Sequence, residues 1–139
     1  MSNLLFTPYE VILDNDYATL VCYPQQKIVH HRFHRPVTSQ EYRSVLEAGV
    51  GALAKYGATK WLSDDRSFHA LSDEDRAWSQ TEWRPRAAAA GWKFWALVVP
   101  PELKERMAFL EVVDDNYERG VWISVFTDPE DAKQWLEQR

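Results

Sequence analysis

A chain of 139 residues with 45% hydrophobic and 27% charged residues is long enough to build one core without disulfides or a structural metal, because a chain of this size buries roughly 68–70% of the surface it exposes when unfolded. The net charge of -5 argues against nucleic acid or an anionic membrane surface as the main partner, since either calls for clustered Lys and Arg; the lone cysteine, Cys22, argues against a disulfide framework or a multi-thiolate zinc site. Seven Trp, six Tyr and six Phe, 14% of the chain, are the feature that needs a physical explanation.

No repeat, low-complexity tract or Pro/Gly/Ser linker divides the sequence, so residues 1–139 read as a single domain. The start lacks the basic lead and long apolar stretch of a signal peptide, and the longest apolar run, residues 94–101, is far below the roughly 18–20 residues of a membrane span. With one cysteine, a cytoplasmic location is expected. Residues 1–70 balance seven basic against seven acidic side chains, so the acidic excess lies in the second half, mostly at helix starts.

The first elements read as strands. Residues 9–13, 18–23 and 27–33 are strand-length runs rich in Val, Ile, Leu and Tyr, separated by Asp14-Asn15-Asp16 and Pro24-Gln25-Gln26, links short enough to make antiparallel neighbours. In the third run Val29, His31 and Phe33 face one way and Ile28, His30 and Arg32 the other. The period then becomes helical. Thr38-Ser39-Gln40-Glu41 carries a capping-box signature, Tyr42, Val45, Leu46, Gly49, Leu53 and Tyr56 follow at helical spacing, and Gly57 ends the run. Residues 60–63 read as a short strand, and Ser72-Asp73-Glu74-Asp75 caps a second helix. Pro85 is expected to kink that helix, because its ring removes a donor and crowds the carbonyl of Thr81. Residues 92–99 are apolar on both faces, as a strand covered on both sides requires. A helix over 102–115, a two-sided strand over 121–126 and a helix begun by Asp128-Pro129 and running through Leu136 complete the order β-β-β-α-β-α-β-α-β-α. That order implies an α/β (α+β) mixed sheet, antiparallel at its start and joined to βαβ crossovers.

Several residues in this pattern carry a resemblance. Trp61-Leu62-Ser63-Asp64-Asp65-Arg66, then Leu71-Ser72-Asp73-Glu74-Asp75 with Trp78, then Ala90-Gly91 leading into the 92–99 strand, and a close of Val125-Phe126-Thr127-Asp128 with Ala132, Trp135 and Leu136 resemble the bacterial SpoIIAA-like proteins. These are small STAS or CRAL-TRIO-like domains, most of them without an established activity. The resemblance covers roughly residues 10–138, and its most specific piece is Trp61, Leu62, Asp64 and Arg66. It implies a mixed sheet and a binding or regulatory module. One departure matters: the phosphorylatable Asp-Ser-Ser/Thr-Gly loop of signalling STAS proteins is here Ser63-Asp64-Asp65-Arg66-Ser67, without glycine and with carboxylates that repel a phosphate. A phosphorylation-switched antagonist is therefore disfavoured.

Asp64, Asp65, Arg66 and His69 fall just past the carboxyl end of a strand, where open α/β sheets place ligand crevices. They suit either a polar-ligand or acid-base site, or an ion-paired brace of the loop, and the brace is favoured because no nucleophile or metal set accompanies them. His30, His31 and His34 suggest a metal site. However, on a strand His30 and His34 lie about 13 Å apart and His31 faces away, so they read as a polar edge with no metal. Gly49 reads as letting its helix approach the sheet, and Cys22 as a buried small hydrophobe. Trp61, Trp95, Trp122 and Trp135 read as core. Trp78 and Trp83, five residues apart, are about 140° apart around an α-helix, so one of them is expected to line a pocket or partner surface.

The expectation is a non-enzymatic cytoplasmic module without a cofactor, a homodimer that binds a protein partner or a small apolar ligand through Trp61, Asp64, Arg66, His69, Trp78 and Trp83. Such a ligand would occupy a cavity touching Trp61, Trp78, Trp83 or Trp95. The alternative is a small enzyme with its acid-base site at Asp64, Arg66 and His69.

Overall fold

The computed structural model describes residues 4–67, 71–109, 116–118 and 120–139. Among the described residues, seven strands form one mixed sheet: β1 (Glu10–Asp14), β2 (Ala18–Tyr23), β3 (Ile28–Phe33), β4 (Lys60–Asp64), β5 (Phe94–Val98), β6 (Asn116–Glu118) and β7 (Val121–Phe126), in the order β1-β2-β3-β4-β5-β7-β6. The hairpin-length links make β1, β2 and β3 antiparallel, and the helical crossovers make β3, β4, β5 and β7 parallel. The mixed sheet is the architecture the sequence implies. The short β6, antiparallel to β7 at the sheet edge, is an addition to it.

The helices are α1 (Ser39–Tyr56), α2 (Asp73–Trp78), α3 (Arg84–Ala89), α4 (Pro101–Phe109) and α5 (Pro129–Glu137). Their ends follow the sequence signals. Thr38 Oγ1 accepts from the Glu41 N–H while Glu41 accepts from the Thr38 N–H, and Gly57 closes α1 at φ 64°, a conformation open to glycine without penalty. Ser72 and Asp128 cap α2 and α5. The expected helix over 102–115 is seen as α4; residues 110–115 lie outside the described residues.

Strand alternation divides the core. Leu20, Val29, Phe33, Trp61 and Ile123 point to one face, which α1 and the helix of α2 and α3 cover. Val21, Tyr23, Ile28, Leu62, Ala96 and Val98 point to the other, covered by Ala132, Trp135 and Leu136 of α5 and by Leu4, Leu5 and Phe6. The β5 strand is therefore covered on both sides, as its two-sided sequence requires.

The strand alternation also corrects two expectations. β3 is an interior strand, so His30 and His31 are buried at 5% and 2% exposure and do not form a polar edge. Trp122 is 44% exposed, because it lies near the start of β7, paired with Tyr117 of the edge strand, whereas Trp135 packs on Phe94 and Phe126.

The kink expected at Pro85 takes the form of a π-helical turn, Ser79–Trp83, between α2 and α3. Proline at 85 offers no N–H to the Thr81 carbonyl, and the turn widens so that the Arg84 N–H bonds to the Ser79 carbonyl, five residues back. This changes the helical geometry. In an i→i+5 turn, residues five apart come nearly into line, so Trp78 and Trp83 share the inner side of the helix.

Candidate functional site

At the carboxyl end of β4 the two adjacent carboxylates go to opposite faces of the sheet. Asp64, 2% exposed, accepts a two-pronged pair from Arg66, Nε at 2.8 Å and Nη2 at 2.7 Å, with Arg32 Nε at 4.0 Å. Burial alone raises the pKa of this carboxyl, but the Arg66 fork outweighs it and holds the carboxyl below its ordinary range. Asp65 turns to the other face, where its Oδ1 accepts from His31 Nε2–H at 2.8 Å. His31 Nδ1 in turn accepts from Trp61 Nε1–H at 2.9 Å. Both imidazole nitrogens are thus engaged and the neutral Nε2–H tautomer is fixed. His69 lies outside the described residues.

On the face of Asp65 the aromatic excess becomes one structure. Trp61, Trp83 and Trp92 meet with ring centroids 5.1–6.2 Å apart, and Trp92 meets Trp95 at 5.4 Å. Each indole N–H has an acceptor: Trp83 donates to the Leu46 carbonyl, Trp92 to the Phe94 carbonyl and Trp95 to Ser63 Oγ. Edge-on indoles with satisfied N–H groups form a rigid wall, because aromatic pairs favour tilted contacts at these distances.

Beyond that wall is a cavity of about 200 Å³ between α3 and strands β5 and β7, lined by Arg84, Pro85, Ala88, Trp92, Trp95, Val121 and Ile123. The lining is predominantly apolar, with exposed Pro85 at its rim. The Arg84 guanidinium carbon stands 4.9 Å from the centroid of the Trp95 ring, within cation-π range.

The site residues expected from sequence therefore separate. Trp61 and Trp83 are core, 1% and 4% exposed. Trp78 is half-buried against Tyr42 and covered by the Arg43 guanidinium carbon at 4.9 Å from its ring, so neither Trp78 nor Trp83 lines the cavity, and the physical reason is the π turn. Asp64 and Arg66 form an ion-paired brace on the opposite face. Trp95 alone among the four tryptophans expected to touch a cavity lies in this lining. The sequence does not single out Arg84, Ala88, Trp92, Val121 or Ile123, and it marks Pro85 only as a break in the helix. The signal that points to them is the Trp83-Arg84-Pro85 junction, where the helical period breaks beside the sheet.

No protein-family model, curated protein or solved structure matches this chain. No described helix is long and apolar enough to cross a membrane.

Proposed function

We propose that the protein is a non-enzymatic binding module that takes a small, largely apolar ligand into the cavity between α3 and strands β5 and β7. One observation carries the reading: a preformed apolar space of about 200 Å³ walled by the indoles of Trp92 and Trp95. A cavity of roughly 150 Å³ already holds benzene, so this one has room for one aromatic ring with a substituent, or for a compact fused pair. The element order and the closing Ala132, Trp135 and Leu136 helix support a SpoIIAA-like, bacterial cytoplasmic module as its class; whether it acts as a homodimer is read from its mass in solution.

The acid-base alternative has less support. Arg66 already engages both Asp64 oxygens, and both ring nitrogens of His31 are already hydrogen-bonded, to Asp65 and Trp61. These groups are better suited to bracing the loop than to moving protons.

Calorimetric titration with indole tests the reading. We expect saturable binding, weakened at least about ten-fold by Ala88→Phe, which puts a ring into the cavity from α3. An absence of binding, or equal affinity in the folded Ala88→Phe variant, overturns it.

A further inference from the structure

The apolar triplet Leu4, Leu5 and Phe6 belongs to no strand or helix, and it lies across the sheet face opposite the cavity, half-buried against Val21, Tyr23 and Ile28. On that face α5 packs mainly on β4, β5 and β7, so among the described residues this strap is the cover over β2 and β3. Two contacts tie it down. The Leu5 N–H donates to the Tyr23 hydroxyl at 3.1 Å, and the Phe6 ring meets the Tyr23 ring edge-on at 5.2 Å. The same hydroxyl bonds to Nδ1 of His30 at 2.8 Å. We propose that this strap is a proton-released latch: it stays closed over β2 and β3 through the Leu5–Tyr23–His30 hydrogen-bond chain while His30 is neutral, and lifts when His30 takes up a proton. The device stands apart from the cavity and does not depend on it.

A neutral imidazole suits the chain of bonds. The Tyr23 O–H donates to Nδ1 while its oxygen accepts from the Leu5 N–H, so each group has one role. An imidazolium reverses this. Its Nδ1 can only donate, which displaces the Tyr23 hydroxyl hydrogen from its acceptor, and its buried Nε2–H, without an acceptor among the described residues, now shares a positive charge. A charge and a displaced donor in apolar surroundings are costly, and the cost is relieved once the strap lifts and water reaches Tyr23 and His30. The charged groups nearby do not supply the missing acceptor. On this face Asp64 of β4 is the acid, and both its oxygens are taken by Arg66. Arg32, two residues along β3, and Lys60, at the start of β4, are cations on the same face, and His31 turns to the other. Lys133 of α5 stands 5.0 Å from the centroid of the Phe6 ring, and the strap carries no charged side chain. Burial therefore dominates and lowers the pKa of His30 from 6.5 to about 4, against the pull of Asp64 and with Arg32 and Arg66 acting in the same sense as burial.

Hydrogen exchange of the full chain, followed amide by amide and divided by each amide's intrinsic rate, tests the latch. The open form takes up a proton below about pH 6.5 that the closed form refuses until about pH 4. The closed form is therefore fully favoured above the upper value, and the opening constant of the Leu5 amide should rise about ten-fold per pH unit from roughly pH 6 down to 4.5. The Leu62 amide, in the interior strand β4, should stay at least about ten-fold better protected at every pH, since lifting the strap leaves β4 paired with β3 and β5. His30→Gln, which keeps an acceptor for Tyr23 but takes up no proton, should flatten the Leu5 slope. Tyr23→Phe, which removes the hydroxyl, should raise Leu5 exchange at pH 7. A Leu5 opening constant independent of pH, a slope that survives in folded His30→Gln, or Leu5 and Leu62 exchanging through one and the same opening overturns the latch. So does a Leu5 amide that already exchanges at its intrinsic rate at pH 7. The pH series on the unaltered protein decides the question even if neither variant folds.

Discussion

Gly49 marks a place where a single methyl group has no room. A Cβ there would stand 2.0 Å from Cη2 of Trp61, and that ring cannot retreat, because it is fully buried, tied to His31 through its N–H and packed edge-on against Trp83 and Trp92. Replacing glycine by alanine inside a helix ordinarily gains up to about 1 kcal/mol; here the overpacking cost, typically 1–3 kcal/mol, opposes it and should win. We expect Gly49→Ala to lower the melting temperature, whereas the same change at Gly51, where an added Cβ meets nothing within 4 Å, should hold or raise it. A stabilised Gly49→Ala variant would show that Trp61 repacks freely. His30 gives a second expectation at this scale. It is buried, its Nδ1 bonds to the Tyr23 hydroxyl, which also accepts from the Leu5 N–H, and its Nε2 has no partner among the described residues. Burial lowers its pKa from 6.5 to about 4. The unfolded chain therefore takes up a proton below pH 6.5 that the folded chain refuses until about pH 4. Stability is full above the unfolded value and falls as the pH drops through this window, by roughly 3 kcal/mol in all. The lowered carboxyls Glu41, Glu47, Asp64 and Asp75 add their losses only below their ordinary values of 3.8–4.5, so among the described groups with a shifted value His30 accounts for the interval from about pH 4.5 to 6.5. Denaturant titrations across it should show the slope, and His30→Gln should flatten it.

At the scale of elements, the instructive case is the helix from Asp73 to Ala89. Its start, its acidic first turn and the disturbance ahead of Pro85 are legible in the sequence, because capping and proline effects are local. The form of the disturbance is not. A kink and a π turn satisfy the same missing donor, and the choice lies in tertiary packing: the widened turn lets Trp78 and Trp83 both face α1 and the sheet. Deleting the exposed Gln80 tests this account. With one residue fewer, the two tryptophans stand four apart and share a face of an ordinary α-helix, so we expect a folded protein that keeps the native near-ultraviolet aromatic signal. A collapsed signal would mean that the π turn is required for more than tryptophan alignment. The strands divide in the same way. Alternation marks β5 as two-sided, but the burial of His30 and His31, which the pattern alone reads as a polar edge, depends on which strands flank β3, and the exposure of Trp122 depends on its place beside the edge strand β6. Both are consequences of sheet order, which local pattern does not encode.

For the whole molecule, the aromatic excess has a mechanical consequence. Three of the seven tryptophans, Trp61, Trp83 and Trp92, pack into one wall with Trp95 at its end, and such large flat side chains fill a core in coarse steps that leave space where they stop. The cavity under α3 is that space, and the side chains that line it lose dispersion contacts across it. A ligand that fills it binds only the folded chain, so it stabilises by RT ln(1 + [L]/Kd), about 2.7 kcal/mol at a hundred times Kd. At roughly 3–5 °C per kcal/mol for a domain of this size, the melting temperature should rise by about 10 °C. Ala88→Phe places a phenyl ring in the same space and should raise the melting temperature of the ligand-free protein while removing most of the ligand's shift. The pairing of these two outcomes is what matters. Stabilisation by the substitution with the ligand shift unchanged would place the ligand elsewhere, and loss of both would mean that the cavity walls do not hold their positions when the space is filled.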